Sequence, residues 1–366
     1  MKDICVLNIV IAKVWGGGEQ YVYDTARAMK KLGVKVYIAV DKTNTVMQQR
    51  FAEAAEVVTF NLYSAAGIFA VNGLAGFIKK QRVDIINCHS GHAMQLCLLL
   101  KFLTGAKVVM FKHNALPAKH DFYHNWQRKN TDAFICVSRL VYDLQIQELT
   151  EAEKQKYHLV YNGIDTEKFN KYKNIKKDPD KFVIAYAGRI AGDKGIDILL
   201  QAFEKLSEKY DNIYLQLAGT DEKGYLQKVQ QFIDEHNLQK RIEYLGNQKD
   251  MERYYKKLNL FVLPSVVKEA FGLVLCEAMY CGVPVITTNS GAQCEIITNG
   301  SDGTIVQTGD VKALAQSIEE AYNNYQQYLT MAAKAKEKVK AKFSVIKCAE
   351  ELIKIDENIC AKKVKR

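Results

Sequence analysis

Along most of the chain, short runs of apolar residues alternate with longer stretches in which apolar side chains recur every three or four positions. The first pattern is that of a strand buried on both faces, the second that of a helix laid over it. Read in order, strands are expected at Asp3–Ala12, Val34–Val40, Val57–Leu62, Val83–Asn87, Lys107–Lys112 and Ala133–Val137. They resume at Phe182–Ala187, Ile213–Ala218, Ile242–Leu245, Leu260–Leu263 and Val283–Thr287. Helical periodicity covers Gln20–Leu32, Gly67–Lys80 and Phe271–Cys281, and Val311–Tyr322, Tyr328–Lys342 and Val345–Lys363 are helices at the end. This alternation predicts an α/β protein with parallel sheets. With 366 residues there is material for two domains, each burying its own core. The rhythm breaks at Lys171–Lys181, a charged stretch containing Pro179, which reads as a linker between domains 1–170 and 182–344.

The most informative unit is 258–289: strand, loop, helix, a left-handed stop at Gly282 and a second strand. Two carboxylates belong to it, Glu269 in the loop and Glu277 eight residues on. Helical side chains lean toward the N-terminus, so Glu277 can face the same opening from roughly 9 Å further along the axis. Between the two lie the N–H groups of Phe271, Gly272, Leu273 and Val274, at the positive end of the helix dipole, where an anion is favoured. A carboxylate, an anion socket and a second carboxylate suit a ligand with hydroxyl pairs at both ends and phosphate between them. A nucleotide-sugar has that layout, although two solvated charges at a helix start would share the spacing.

Further chemistry sits at strand ends. Gly188-Arg189 and Lys194-Gly195 bracket a strand-to-helix turn, and an Arg fork with a Lys point charge suits a diphosphate. The turn is no Walker loop, because Gly192 is followed by Asp193. Gly16-Gly17-Gly18-Glu19, with an acid at Asp41, has the outline of a dinucleotide site, but Tyr21 stands where a small residue is required. His89, His92 and His113 follow strands and so face the ligand crevice of a parallel sheet. The aromatic and basic stretch His120–Asn130 is the candidate for acceptor contacts. Asp178-Pro179-Asp180 spells a metal-binding D-x-D but precedes a strand instead of following one, so it is read as coincidental and no metal is expected.

Glu269-Ala-Phe-Gly-Leu-Val-Leu-Cys-Glu277-Ala, with Leu-Pro-Ser before it and Gly-Val-Pro-Val after, closely resembles the E-x7-E signature of retaining glycosyltransferases of family 4. Gly17-Gly18, His113, Asn162-Gly163-Ile164-Asp165 with Phe169, and the Arg189/Lys194 turn extend the likeness over nearly the whole chain. The resemblance implies a GT-B fold, two Rossmann-like domains whose parallel sheets face each other across a cleft, with helix 345–366 returning to the first. It also implies roles. Glu269 would grip the sugar hydroxyls and Glu277 the ribose, Arg189 and Lys194 would hold the diphosphate, and His113 would meet the transferred sugar. Gly17, Gly18 and Gly188 would lie against the donor, and Tyr244 would border the nucleobase. The donor would be a nucleoside diphosphate sugar and the acceptor a glycan or lipid-linked hydroxyl in bacterial cell-envelope polysaccharide synthesis, with no cofactor. A nucleotide-sugar 2-epimerase, which shares the fold, and a non-catalytic sugar-nucleotide binder are the alternatives.

Charge adds one partner. The formal net charge of +10 arises partly from lysine-rich helices and the Lys362–Arg366 tail. Without aromatic-interleaved basic motifs it points away from nucleic acid and toward an anionic membrane surface or a phosphorylated acceptor, with a plain solvated face as the alternative. No apolar run approaches twenty residues, and the first residues read as a strand instead of a signal peptide, so a cytoplasmic protein, peripheral at most, is expected. Nine scattered cysteines without a C-x-x-C pair read as buried thiols.

Overall fold

The computed structural model describes residues 4–63, 70–172 and 175–361. They form two compact units, Met1–Gly163 with Val345–Arg366, and Ile164–Ser344.

The first unit is built on seven strands: β1 (Cys5–Ile9), β2 (Lys35–Asp41), β3 (Glu56–Phe60), β4 (Ile85–Cys88), β5 (Lys107–Lys112), β6 (Ala133–Cys136) and β7 (Tyr157–Leu159). All pair in parallel in the order β3-β2-β1-β4-β5-β6-β7. The order reverses between β1 and β4. Chain connections leave such a point in opposite directions, which opens a crevice at the carboxyl ends of the strands. Every residue of β1 is buried, the polar Asn8 included, as befits a strand in a sheet covered on both faces. The helix Gly17–Lys31 lies on one of those faces, and the helix Val345–Ala361 packs beside it. Val345, Cys348, Ala349, Leu352 and Ile353 share one core with Val6, Val22, Ala26 and Met29. The final helix therefore belongs to the first unit. Burial within it pushes the Asp356 carboxyl up to about 8.

The second unit holds β8 (Phe182–Ala187), β9 (Ile213–Ala218), β10 (Ile242–Gly246), β11 (Leu260–Leu263), β12 (Val285–Thr288) and β13 (Thr304–Val306). These too are parallel, ordered β10-β9-β8-β11-β12-β13, so the reversal falls between β8 and β11. Two parallel α/β sheets of seven and six strands are what the resemblance to GT-B enzymes implies.

Several boundaries differ from the sequence reading. The second unit begins at Ile164, ahead of the expected division at 170. The N–H groups of Lys171 and Tyr172 donate to the buried carboxylate of Glu252 at 2.9 and 3.1 Å, and Asn170 bonds the Tyr280 hydroxyl at 2.9 Å. The start of the supposed linker is thus tied to the second unit. β1 is shorter than Asp3–Ala12, and the helix expected at Gln20–Leu32 begins at Gly17. The helix expected over Gly67–Lys80 spans Val71–Gln81; its first residues and the Lys362–Arg366 tail lie outside the described residues. Asp178 accepts from the Asp180 N–H at 3.1 Å and lies 3.7 Å from Lys181, a local turn of its own. The nine cysteines are all free thiols, seven of them buried.

Candidate functional site

In the second unit the loops after β8 and β11 flank the reversal of strand order, and glycines make their approach possible. A Cβ on Gly188 (φ +153°) would sit 2.5 Å from the Tyr186 hydroxyl, and one on Gly219 (φ +136°) 1.7 Å from the Gly188 carbonyl oxygen. A Cβ on Gly195 (φ +70°) would sit 2.0 Å from the Pro264 carbonyl oxygen. The N–H groups of Val266 and Val267 donate to the Asp193 carbonyl at 3.1 and 3.3 Å, lacing the two loops together.

This lacing brings Lys194 to Glu269, 75 positions away in sequence, with Nζ 2.5 Å from Oε1. Both side chains are about five-sixths covered, at 16 and 15% exposure, so their attraction is screened far less than at the surface. The Ser265 hydroxyl donates to the same oxygen at 2.6 Å. The Glu269 backbone is clamped as well: Ala292 N–H donates to its carbonyl at 3.0 Å, and a Cβ on Gly291 would fall 2.5 Å from both its N and its O. Arg189 is more open. Its guanidinium is paired with Asp193 at 2.9 Å and with Glu222.

The helix after this loop spans Leu273–Tyr280, two residues shorter at its start than expected. Gly272 caps it in a left-handed conformation (φ +111°), which takes Phe271 and Gly272 out of the helical N–H array. Phe271 is instead buried edge-on against Phe343, with ring centroids 5.6 Å apart. Leu275 N–H bonds the Gly272 carbonyl at 3.0 Å, while those of Leu273 and Val274 take no hydrogen bond among the described residues. The anion socket is thus narrower than the four residues first considered. Glu277 lies one turn in, and the Tyr255 hydroxyl donates to its Oε2 at 2.9 Å. Tyr255 is fully buried, and burial, then the neighbouring carboxylate, raises its phenol well above the usual range, so it stays a neutral donor. Tyr244 donates its hydroxyl to the Gly219 carbonyl at 2.8 Å, which places its ring beside the glycine turns.

In the first unit, nothing within 4 Å occupies the space a Cβ would take on Gly17 or Gly18, at the start of the helix Gly17–Lys31. His89 and His113 stand at the carboxyl ends of β4 and β5, with His89 Nδ1 3.2 Å from His113 Nε2. Burial holds His113 down to about 4, so it is neutral near pH 7. His92 lines a separate recess of about 440 Å³ with Ile11, Tyr63, Gln95 and Tyr123. Of the stretch His120–Asn130, Tyr123 reaches this recess, whereas Gln127 and Arg128 are buried, Arg128 donating to the Lys119 carbonyl. Sequence reading missed Ser265, Tyr255, Asp193, Glu222 and Asn8 as partners of site residues. Of these Ser265 stood inside a recognisable pattern, Leu-Pro-Ser, and Asp193 inside the Gly188–Gly195 turn.

Comparison with known proteins identifies the family and the fold. Residues 167–338 match the family model for glycosyl transferases group 1, and residues 15–168 that for glycosyltransferase family 4. The capsular polysaccharide biosynthesis glycosyltransferase CapM of Staphylococcus aureus is 35% identical over 204 residues, which span 52% of this chain and about half, 51%, of that relative. Among solved structures, a glycosyltransferase from Rickettsia africae superposes with a TM-score of 0.85 at 23% identity, covering 98% of this chain and 99% of that one. Anabaena HepE in complex with UDP and glucose superposes with a TM-score of 0.80 at 20% identity, covering 96% and 99%. These two likenesses establish the fold. With both family models matched in succession over residues 15–338, the chain belongs to the group 1, family 4 glycosyltransferases of the GT-B fold.

Proposed function

We propose that this glycosyltransferase moves a sugar from a nucleoside diphosphate to a hydroxyl of a glycan or lipid-linked acceptor, with retention of configuration and without metal. The reading of the acceptor as an envelope polysaccharide takes support from the relative in capsule synthesis.

The observation that carries the proposal is the Lys194–Glu269 pair at the switch point of the second sheet, with Glu269 in the loop that leads into the open N–H groups of Leu273 and Val274. Departure of the diphosphate gathers negative charge, and fixed cations and dipoles stabilise such charge most effectively where water is excluded. An ammonium has three donors. Lys194 can therefore keep Glu269 oriented toward the sugar hydroxyls and still donate to a phosphate oxygen. Arg189, more exposed, supplies the second cation. Glu277, steadied by Tyr255, binds the ribose diol, and Tyr244 borders the base. His113 in the first unit contacts the transferred sugar, and Gly17 and Gly18 admit close approach of the donor. No side chain need act as base if a departing phosphate oxygen takes the acceptor proton.

The test is release of nucleoside diphosphate that requires acceptor and persists in EDTA. Release without acceptor would point to hydrolysis or epimerisation, and loss of activity restored by Mn²⁺ would sink the metal-free reading. Glu277→Ala should weaken the free nucleoside diphosphate by the ~1.5–3 kcal/mol of a charged hydrogen bond. Tyr255→Phe should give a smaller loss of the same kind, since it only orients that carboxylate. Unchanged affinity in both variants, measured by calorimetry, would remove Glu277 from the nucleotide site.

A membrane surface fits the first unit. The helix Met94–Thr104 exposes Leu99, Phe102 and Leu103, and the helix Phe122–Asn130 exposes Phe122 and Trp126; the Phe102 and Trp126 rings are 6.4 Å apart. Lys79, Lys80 and Lys129 are exposed on the same unit. Aromatic side chains with lysines suit the interface of an anionic bilayer, and among the described residues no helix is long and apolar enough to cross one. Binding to phosphatidylglycerol vesicles should weaken steeply as salt rises, and Phe102→Ser with Trp126→Ser should abolish it. A protein that ignores such vesicles at low salt would leave a soluble acceptor as the better reading.

A further inference from the structure

A hydrogen-bonded chain of four side chains crosses the carboxyl ends of β1, β4 and β5, and its partners dictate where each proton lies. Asn8 and Asn87 are register partners on β1 and β4. Asn8 Nδ2 is 3.5 Å from the Tyr37 carbonyl, which can only accept, so the amide oxygen of Asn8 points the other way. That oxygen receives Asn87 Nδ2 at 3.1 Å and His89 Nε2 at 2.9 Å. Reversing the Asn8 amide would set one carbonyl oxygen against another. With the Asn8 amide in this orientation, His89 carries its proton on Nε2.

The remaining nitrogen of His89 follows. Burial, and after it the neighbouring His113, holds His89 well below its usual range, so the ring is neutral and Nδ1 is a bare lone pair. It faces His113 Nε2 at 3.2 Å, which must then be the donor. His113 is neutral too. The other group against the rings is apolar or a neutral phenol: Phe111 stacks on His89 at 4.4 Å, and Tyr21 meets His113 edge-on at 5.0 Å. His113 Nδ1 takes no hydrogen bond from any described residue.

We propose that His89, aligned by Asn8, is a positioning residue that locks His113 in the Nε2–H tautomer, so that Nδ1 can only accept. The substrate group that meets His113 is then a hydroxyl that donates, never a carboxylate or another pure acceptor. This rests on the reading of His113 as a sugar contact. A ring free to choose its tautomer would satisfy donors and acceptors alike; the chain of Asn8, His89 and His113 removes that choice, and with it a class of sugars.

The tautomers are read directly from nitrogen chemical shifts of the ¹⁵N-histidine-labelled protein at pH 7, assigned with His89→Leu and His113→Ala. Both rings should show protonated Nε2 and bare Nδ1. In His89→Leu, His113 should become a mixture of tautomers while turnover falls by about tenfold, the worth of one oriented hydrogen bond. His89→Gln, whose amide oxygen can still accept from His113 Nε2, should recover turnover to within about threefold of the parent. For the one sugar position that meets His113, a fluoro donor should react as poorly as the deoxy donor, since fluorine cannot donate. A protonated Nδ1 or a charged ring on His113 in the unaltered protein overturns the inference, whether or not any variant folds. Full turnover of His113→Ala with the expected tautomers would instead overturn the sugar contact beneath it, and the two failures are told apart by the spectra.

Discussion

Replacing Glu269 with alanine is expected to lower turnover by ~10²-fold or more while the affinity for free nucleoside diphosphate stays within about twofold of the parent. The two readouts separate because of what the carboxylate touches. Its Oε1 is engaged by Lys194 and Ser265, and the side chain is mostly covered. In the proposed complex its free oxygen meets the sugar, which nucleoside diphosphate lacks. Removing it also releases Lys194 from a competing anion, so the phosphate contact does not suffer. Lys194→Ala should behave in the opposite way, weakening the nucleoside diphosphate by ~1.5–3 kcal/mol. Calorimetry with single-turnover kinetics on both variants decides the matter. A loss of diphosphate affinity in Glu269→Ala as large as its loss of turnover would place that carboxylate on the nucleotide instead.

Gly195→Ala should cost the protein ~3 kcal/mol or more, one of the larger effects open to a single methyl group. Two independent penalties coincide there. The left-handed φ of +70° is unfavourable for any residue with a Cβ, and the added carbon would lie 2.0 Å from the Pro264 carbonyl oxygen. The obstacle is backbone, so no rotamer change relieves it, and the loops after β8 and β11 would have to separate. Lys194 and Glu269 would be pulled apart with them. Thermal unfolding should shift down by roughly 6–12 °C for a unit of this size. Gly17→Ala supplies the contrast, since neither its φ nor its neighbours oppose a methyl group, and its melting temperature should stay unchanged. A Gly195→Ala protein that melts with the parent would show that the two loops are not held at this distance in solution.

Much of the local structure was legible in the residues alone. β5, β8, β9 and β11 have the limits expected from the sequence. A run of apolar residues between turn signals can satisfy its backbone only in a covered sheet, so its limits are written locally. Boundaries failed where one residue's conformation outweighed the pattern. Gly272 is embedded in helix-forming sequence, yet its left-handed φ starts the helix after itself. In the same way the acid at Glu252 drew the supposed linker into the second unit, through a contact 81 positions long.

The sequence by itself determined the α/β class and the identities of the charged groups at the turns, Arg189, Lys194, Glu269 and Glu277, because each lies within a few residues of the glycines that shape its loop. Tertiary structure alone decided which of them touch. Lys194 meets Glu269 only because β11 inserts beside β8, and His89 meets Asn8 only because β4 inserts beside β1. Strands covered on both faces look alike in sequence, since their hydrophobicity records burial and not which neighbour they have. Strand order is set by packing and connection over the whole unit, and the partners of every residue in the site follow from that order.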